Sequence, residues 1–165
     1  MLPVAPQQRL VRRLEELGIV TTTVPYPAHR TVEEGRALRG SMSGIFTKNL
    51  LLKDKKKRLY LIVAQEDRDI DLKTFSARIG AKGHLSFASP ESMREVLGVD
   101  PGTATPFGLM NDVEKQVTPV IDASLMSADL INFHPLVHTA STGIRPDDLL
   151  RFIRACGQEP LIVEM

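Results

Sequence analysis

Two stretches of this chain hold residue types at spacings that can do chemistry. The first is Phe46-Thr47-Lys48-Asn49, at the head of the apolar run Leu50–Leu52. An unpaired buried ammonium is very costly, so Lys48 either lies on a solvated strand face or snorkels into a polar cavity. The second is Gly102-Thr103-Ala104-Thr105-Pro106, a G-x-x-x-P segment that runs into Phe107-Gly108. Glycines let backbone N–H groups approach a ligand closely. Amides held in that way stabilise an oxyanion by about 3–4 kcal/mol per donor where the effect has been measured in a hydrolase. A plain connecting loop would have the same composition, and the residues alone leave both readings open. Other chemistries find less support. Of His29, His84, His134 and His138 only the last two are close in sequence, and Pro135 between them denies them a common helix face. One cysteine and no HExxH leave no zinc signature. No GxSxG elbow and no glycine-rich phosphate motif is present.

The elements that would position these groups follow from apolar periodicity. Leu50–Leu52 and Leu59–Ala64 read as two strands joined by the charged turn Asp54–Arg58, a hairpin apolar enough to sit inside a covered sheet. Before it, Gln7 to Leu17 forms an amphipathic helix on Leu10, Leu14 and Leu17, stopped by Gly18. The entry at Pro3 and Pro6 is irregular. Thr21–Val24 is a β-branched strand. Thr31 with Glu34 makes a capping box for a helix over Val32 to Leu38, and Gly40 to Gly44, with Ser41 between, form a flexible entry to the hairpin. After it, Asp71 caps a helix over Leu72 to Ile79, His84–Ala88 is a strand, and Ser89-Pro90 opens a helix to Leu97. Val99 to Phe107 is loop. Val117–Ile121 and Leu130–Phe133 are strands separated by a turn over Asp122 to Ala128. His138 to Ile144 is a further strand, a helix runs from Pro146 to Ala155, and Leu161–Val163 closes the chain. Interspersed strands and helices with several hairpins predict a mixed sheet.

The chain has 165 residues, 42% of them hydrophobic, which suits one compact domain with a real core. Its net charge of +1 cannot hold a polyanion through the whole-protein field, so nucleic-acid contact needs a local patch. Lys53, Lys55, Lys56, Lys57 and Arg58 are the candidate patch, with a merely solvated turn as the alternative. Cys156 excludes an internal disulfide, suits a reducing cytoplasm, and falls in the C-terminal helix as a core or surface thiol rather than a nucleophile. The start lacks a signal peptide's features, and no apolar run reaches membrane-spanning length. No helix-turn-helix pattern points to specific DNA binding.

FTKNLLLKDKK followed by RLYLIVA, then GTATPFGLMND from Gly102 to Asp112, then Asn132-Phe133-His134-Pro135, together resemble the YbaK-type, prolyl-tRNA-synthetase-associated editing domain family. The likeness is closest to its free-standing members that deacylate mischarged prolyl tRNA. It extends over nearly the whole chain. It implies a single α/β domain over residues 1–165, with a curved mixed β-sheet flanked by helices, and no cofactor. It implies a cytoplasmic trans-editing hydrolase that removes alanine from tRNA(Pro), with cysteinyl-tRNA(Pro) deacylation as the rival within the family. A non-catalytic binder of nucleic acid or of a synthetase is the rival outside it. The implied partner is the acceptor end of tRNA(Pro), with prolyl-tRNA synthetase as a second.

By this resemblance Lys48 binds the tRNA 3′ end and positions the ester, with Asn49 beside it. The G-x-x-x-P loop borders the active site, which puts Gly102, Thr105 and Gly108 with the catalytic groups and Pro106 and Phe107 with the substrate-binding ones. His134 helps select the amino acid, although a histidine before proline is also commonly just hydrogen-bonded and structural. His138 departs from the family, which has asparagine after His-Pro-x-x; an imidazole there is bulkier and titratable. An aminoacyl ester is already activated, so positioning and oxyanion stabilisation suffice without metal or covalent intermediate. The resemblance leaves the remaining proton to the adjacent ribose hydroxyl or to a held water.

Overall fold

In the computed structural model, which describes residues 5–28, 31–40 and 42–165 apart from the Val32 side chain, helix α1 (Pro6–Glu16) buries Leu10 and Leu14 on one stripe. The entry at Pro3, His29 and Ser41 lie outside the described residues. Strand β1 (Thr22–Pro25) leads to helix α2 (Val32–Arg39), whose capping box has both arms: Glu34 N–H donates to Thr31 Oγ1, and Thr31 N–H to the Glu34 carboxylate. The central hairpin pairs β2 (Ile45–Lys53) with β3 (Leu59–Gln65), so the first strand begins at Ile45 rather than at Leu50. Helix α3 (Leu72–Arg78) is capped by Asp71, and helix α4 (Pro90–Val96) by Ser89. Strands β5 (Val117–Asp122), β6 (Ile131–Phe133) and β7 (Ala140–Ile144), helix α5 (Pro146–Ala155) and strand β8 (Leu161–Val163) complete the chain.

Among the described residues one mixed sheet collects all eight strands in the order β1-β7-β6-β2-β3-β5-β8, with β4 (Ser86–Phe87) also on β2. Side chains alternate between its faces. Leu51, Leu61, Val63, Ile131 and Ile144 join α1, α5 and Phe107 in the larger core, while Leu52, Tyr60, Ile62 and Val120 meet Phe75, Ile79 and Leu85 on the other face. Each such side chain, fully buried, contributes roughly 1.5–3 kcal/mol. The pairing of β2 is what opens a site. On the side away from β3 it pairs with β6 only at Ile45 and Phe46, and with β4 only at Leu52 and Lys53. Among the described residues no strand covers 47–51 on that side.

Four segments differ from expectation, three of them where a local hydrogen bond or turn outweighs propensity. The strand expected over His84–Ala88 is reduced to two residues, and His84 is exposed. Strand β7 begins at Ala140, because Leu136 adopts a left-handed φ of 69° and turns the chain before it. The expected turn after β5 is a 3-10 helix, Ala123–Ser127, started by Asp122 accepting from Ser124 N–H. A second 3-10 helix, Pro106–Asn111, ends the expected loop, with Thr105 Oγ1 accepting from Phe107 N–H. No helix among the described residues is long and apolar enough to cross a membrane.

Candidate active site

Lys48 pairs with Ala64 in mid-strand, is half-buried, and lines a cavity of about 450 Å³ at the uncovered stretch of β2. Pro101, Gly102 and Ala104 line it as well, together with Phe87, Pro90 and Met93. The alternative of a fully solvated strand face therefore does not describe Lys48. Gly102 reaches the wall through its own turn: Asp100 O accepts from Thr103 N–H, Pro101 takes the second position, and Gly102 has a φ of 89°. Proline then glycine with positive φ is the type II pattern, which a side chain at the glycine would strain. The rest of the segment is anchored inward. Thr105, Pro106, Phe107 and Gly108 are buried and line neither this cavity nor the one described next. Phe107 stacks edge-on against Phe133 and Phe152, with ring centroids 5.8 and 5.4 Å away. Gly108 packs so closely on Leu97 that a Cβ would lie 2.9 Å from the Leu97 carbonyl oxygen.

A smaller cavity, about 180 Å³, adjoins the first through the shared residues Thr47, Asn49 and His134. Tyr26, Phe46, Phe133, Asn132 and Ser141 supply much of its wall. Helix α2 contributes Gly35 and Arg39 to the lining and is fastened there by charge. Arg39 lies 3.1 Å from Glu66 and stacks 4.0 Å above the Phe46 ring, while Arg36 reaches Glu66 and Asp67. His134 Nδ1 is 3.0 Å from Ala140 O. A carbonyl only accepts, so Nδ1 carries the proton and the ring is held in one orientation. His138 is exposed and lines neither cavity.

The model for the aminoacyl-tRNA editing domain matches residues 26–152. The chain belongs to this family. It is 39% identical over 163 residues to prolyl-tRNA synthetase associated domain-containing protein 1 of Danio rerio, covering 98% of this chain and 88% of that one. It is 32% identical over 160 residues to the prolyl-tRNA editing protein ProX of Acetoanaerobium sticklandii, covering 96% and 97%. A solved structure described as a candidate trans-editing enzyme for prolyl tRNA synthetase superposes with a TM-score of 0.72 over 99% of both chains at 24% identity, a likeness of fold.

In this editing domain the basic turn is built around a buried carboxylate. Asp54 Oδ1 accepts from the N–H groups of Lys56 and Arg58, and its Oδ2 from Lys82 N–H and Arg58 Nε. Burial alone would raise its pKa, but the backbone N–H groups of Lys82 and Arg58 and the Arg58 guanidinium bring it down to about 2. Lys57 takes the left-handed position of the turn at φ 64°. Lys53, Lys55, Lys56, Lys57 and Arg58 are all exposed on this fixed frame. Cys156 is half-buried, and burial pushes its thiol up to about 11, which suits a packing role.

Of the lining of the smaller cavity, sequence reasoning found Asn49 and His134 and missed most of the rest. Asn132 had a legible signal, a lone polar residue between Ile131 and Phe133 that strand alternation must turn to the other face. Tyr26, Arg39, Glu66 and Ser141 come from four separate segments and had none.

Proposed function

We propose that this editing domain is a trans-acting deacylase that hydrolyses the ester of alanine mischarged onto tRNA(Pro). The observation that carries this reading is the two-lobed cleft, in which Lys48 and the Gly102 turn line one lobe and Asn49 and His134 line both. The larger lobe receives the 3′ end of the tRNA, where the Lys48 ammonium pairs with its charge. The smaller lobe receives the aminoacyl group. Its aromatic walls, Tyr26, Phe46 and Phe133, favour a side chain as small as that of alanine.

Attack on the ester carbonyl places negative charge on its oxygen, and the backbone at Gly102 is the donor surface for that charge. Thr105, Pro106, Phe107 and Gly108 act from the core side by fixing the loop, so the donors need no reorganisation during the reaction. His134, held by Ala140 O, orients the aminoacyl group from the seam between the lobes. Water is the nucleophile, and the proton it gives up reaches the departing ribose oxygen through the adjacent ribose hydroxyl or a second water held in the cleft, so that the ester C–O bond breaks to free alanine and deacylated tRNA. The exposed cations of the turn, Lys53, Lys55, Lys56, Lys57 and Arg58, meet tRNA phosphates and add affinity without reading the amino acid. The resemblance of the chain to a prolyl-tRNA editing protein supports the choice of tRNA.

The test is a deacylation panel with purified Ala-, Cys- and Ser-tRNA(Pro). Fastest loss of alanine is expected. Faster loss of cysteine would move the assignment to the cysteinyl reaction, and no loss from any of the three would overturn the hydrolase reading.

A further inference from the structure

Of the eight aromatic residues in this chain six are buried and Phe46 is half-buried; Phe87 alone is exposed, at 64%. It is a member of neither core cluster. Its backbone is nonetheless fixed, because Phe87 pairs with Leu52 in the sheet and Ala88 N–H donates to Leu51 O at 2.9 Å. A single exposed apolar side chain needs no explanation by itself. Phe87 differs in its place, for it lines the larger lobe of the cleft, where Pro90, Met93 and Pro101 join it.

The charge of that lobe selects what can lie on the ring. Among the described residues Lys48 is the only lysine or arginine in its lining, and no carboxylate lines it; Glu66 lines the smaller lobe alone. A cation set among apolar side chains suits an occupant with negative charge and flat apolar faces. Position along β2 narrows the choice further. Lys48 stands in the cleft, Leu52 pairs with Phe87, and Lys53, the first exposed cation of the basic run, pairs with Ser86. From Lys48 to Lys53 the strand covers roughly 16 Å. That is room for several stacked nucleotides at about 3.4 Å each. An aromatic face between cations is the means by which proteins hold single-stranded nucleic acid, the cations following the phosphates and the bases stacking on the ring.

The geometry points to Phe87 as the stacking platform for a nucleobase of the unpaired 3′ end of the tRNA, with the phosphates of that end running from Lys48 toward Lys53. The identity of the nucleic acid rests on the editing reading above; the stacking surface rests on the exposed ring and the cations on either side of it. In this role Phe87 is a substrate-binding residue that holds a base at the rim while the aminoacyl group lies in the smaller lobe. Every base has a π-face, so the ring adds affinity and leaves the choice of amino acid to the smaller lobe.

The unaltered protein provides the first test, and it needs no ester. The trinucleotide CCA and its abasic counterpart, which has the same phosphates and no bases, are titrated against it by NMR at millimolar concentration. Stacking of one base on an aromatic side chain is worth about 5- to 150-fold in affinity. CCA is therefore expected to bind at least ~5-fold more tightly than the abasic chain and to shift the ring signals of Phe87. In Phe87→Leu, which keeps an apolar side chain without a π-face, that preference should fall toward 1, and in Phe87→Trp it should persist. Equal affinities in the unaltered protein, or ring signals of Phe87 that do not move, would overturn the inference and leave the deacylase reading intact, whether or not the variants fold. With Ala-tRNA(Pro) as substrate, Phe87→Leu should raise KM by about 5-fold or more while the preference for alanine over cysteine stays. An unchanged KM would likewise overturn it. If the protein hydrolyses no ester the function fails, and the titration still decides the stacking site.

Discussion

Lys48 is a cation on a strand whose apolar neighbours are buried, and its value lies in where its charge is held. Its side chain lines a cavity and fills no core, so Lys48→Ala should change unfolding stability by no more than about 1 kcal/mol, read by urea denaturation. Deacylation of Ala-tRNA(Pro) should fall by about two orders of magnitude in kcat/KM, the scale of removing one interaction made in the transition state. Lys48→Arg should recover little, because a planar fork does not replace a point charge in a fitted site. Activity of the alanine variant within a few-fold of the parent would remove Lys48 from the mechanism. At Gly108 the expected effect is structural. A methyl group there meets the Leu97 backbone, so Gly108→Ala should destabilise by about 1–3 kcal/mol, and calorimetry showing an unchanged Tm would contradict the packing described.

At the scale of elements, the β2–β3 turn separates two functions that one charge run could hide. Asp54 is its interior, and the exposed cations are its surface. Asp54→Ala leaves the N–H groups of Lys56, Arg58 and Lys82 without their acceptor and should cost about 2–3 kcal/mol. Replacing Lys55, Lys56 and Lys57 with serine should leave stability nearly unchanged, since these side chains are exposed. It should raise KM for the tRNA and flatten the slope of log KM against log salt by roughly 0.7–0.9 for each phosphate that is no longer neutralised. The preference for alanine should not move. An unaltered KM and salt slope would make the run a solvated turn and nothing more.

For the molecule as a whole, Asp54 and Asp122 tie distant segments together as carboxylates. Burial would raise the pKa of Asp122, but Ser124, the Gln65 N–H and Arg68 lower it, and Arg68 also donates to Met165 O at the C-terminal end. Both folded pKa values therefore lie below the unfolded ones. The folded chain binds fewer protons than the unfolded chain in that interval, so stability rises with pH through it. For Asp54 the contribution is complete above about 3.8 and is lost as the pH falls toward about 2. Urea midpoints should accordingly be flat above about pH 5 and drop steeply below about pH 4. Asp54→Asn should lose much of that acid dependence, and an unchanged pH profile in the variant would show the carboxylate is not its source.

Local chemistry determined much of this protein before any packing was considered. The capping box at Thr31 and Glu34, the proline that opens α5 and the alternation of Leu59–Ala64 are short-range choices, and each element formed within a few residues of its expected bounds. Lys48 was likewise legible, because a lysine heading an apolar strand is an anomaly of sequence, and Gly102 was legible as the head of a G-x-x-x-P loop, although the turn it makes after Pro101 was not. Tertiary structure decided what neighbours cannot report. Whether β2 has a strand beside residues 47–51 depends on where β6 and β4 stop pairing with it, and those strands lie far along the chain. Phe107 belongs to the core rather than the cleft because Phe133 and Phe152 converge on it from β6 and α5. Phe87 stands at the rim of the cleft because β4 pairs with β2 at Leu52, on another segment. A cavity is the space left between elements distant in sequence, and the side chains at its wall are fixed by their approach.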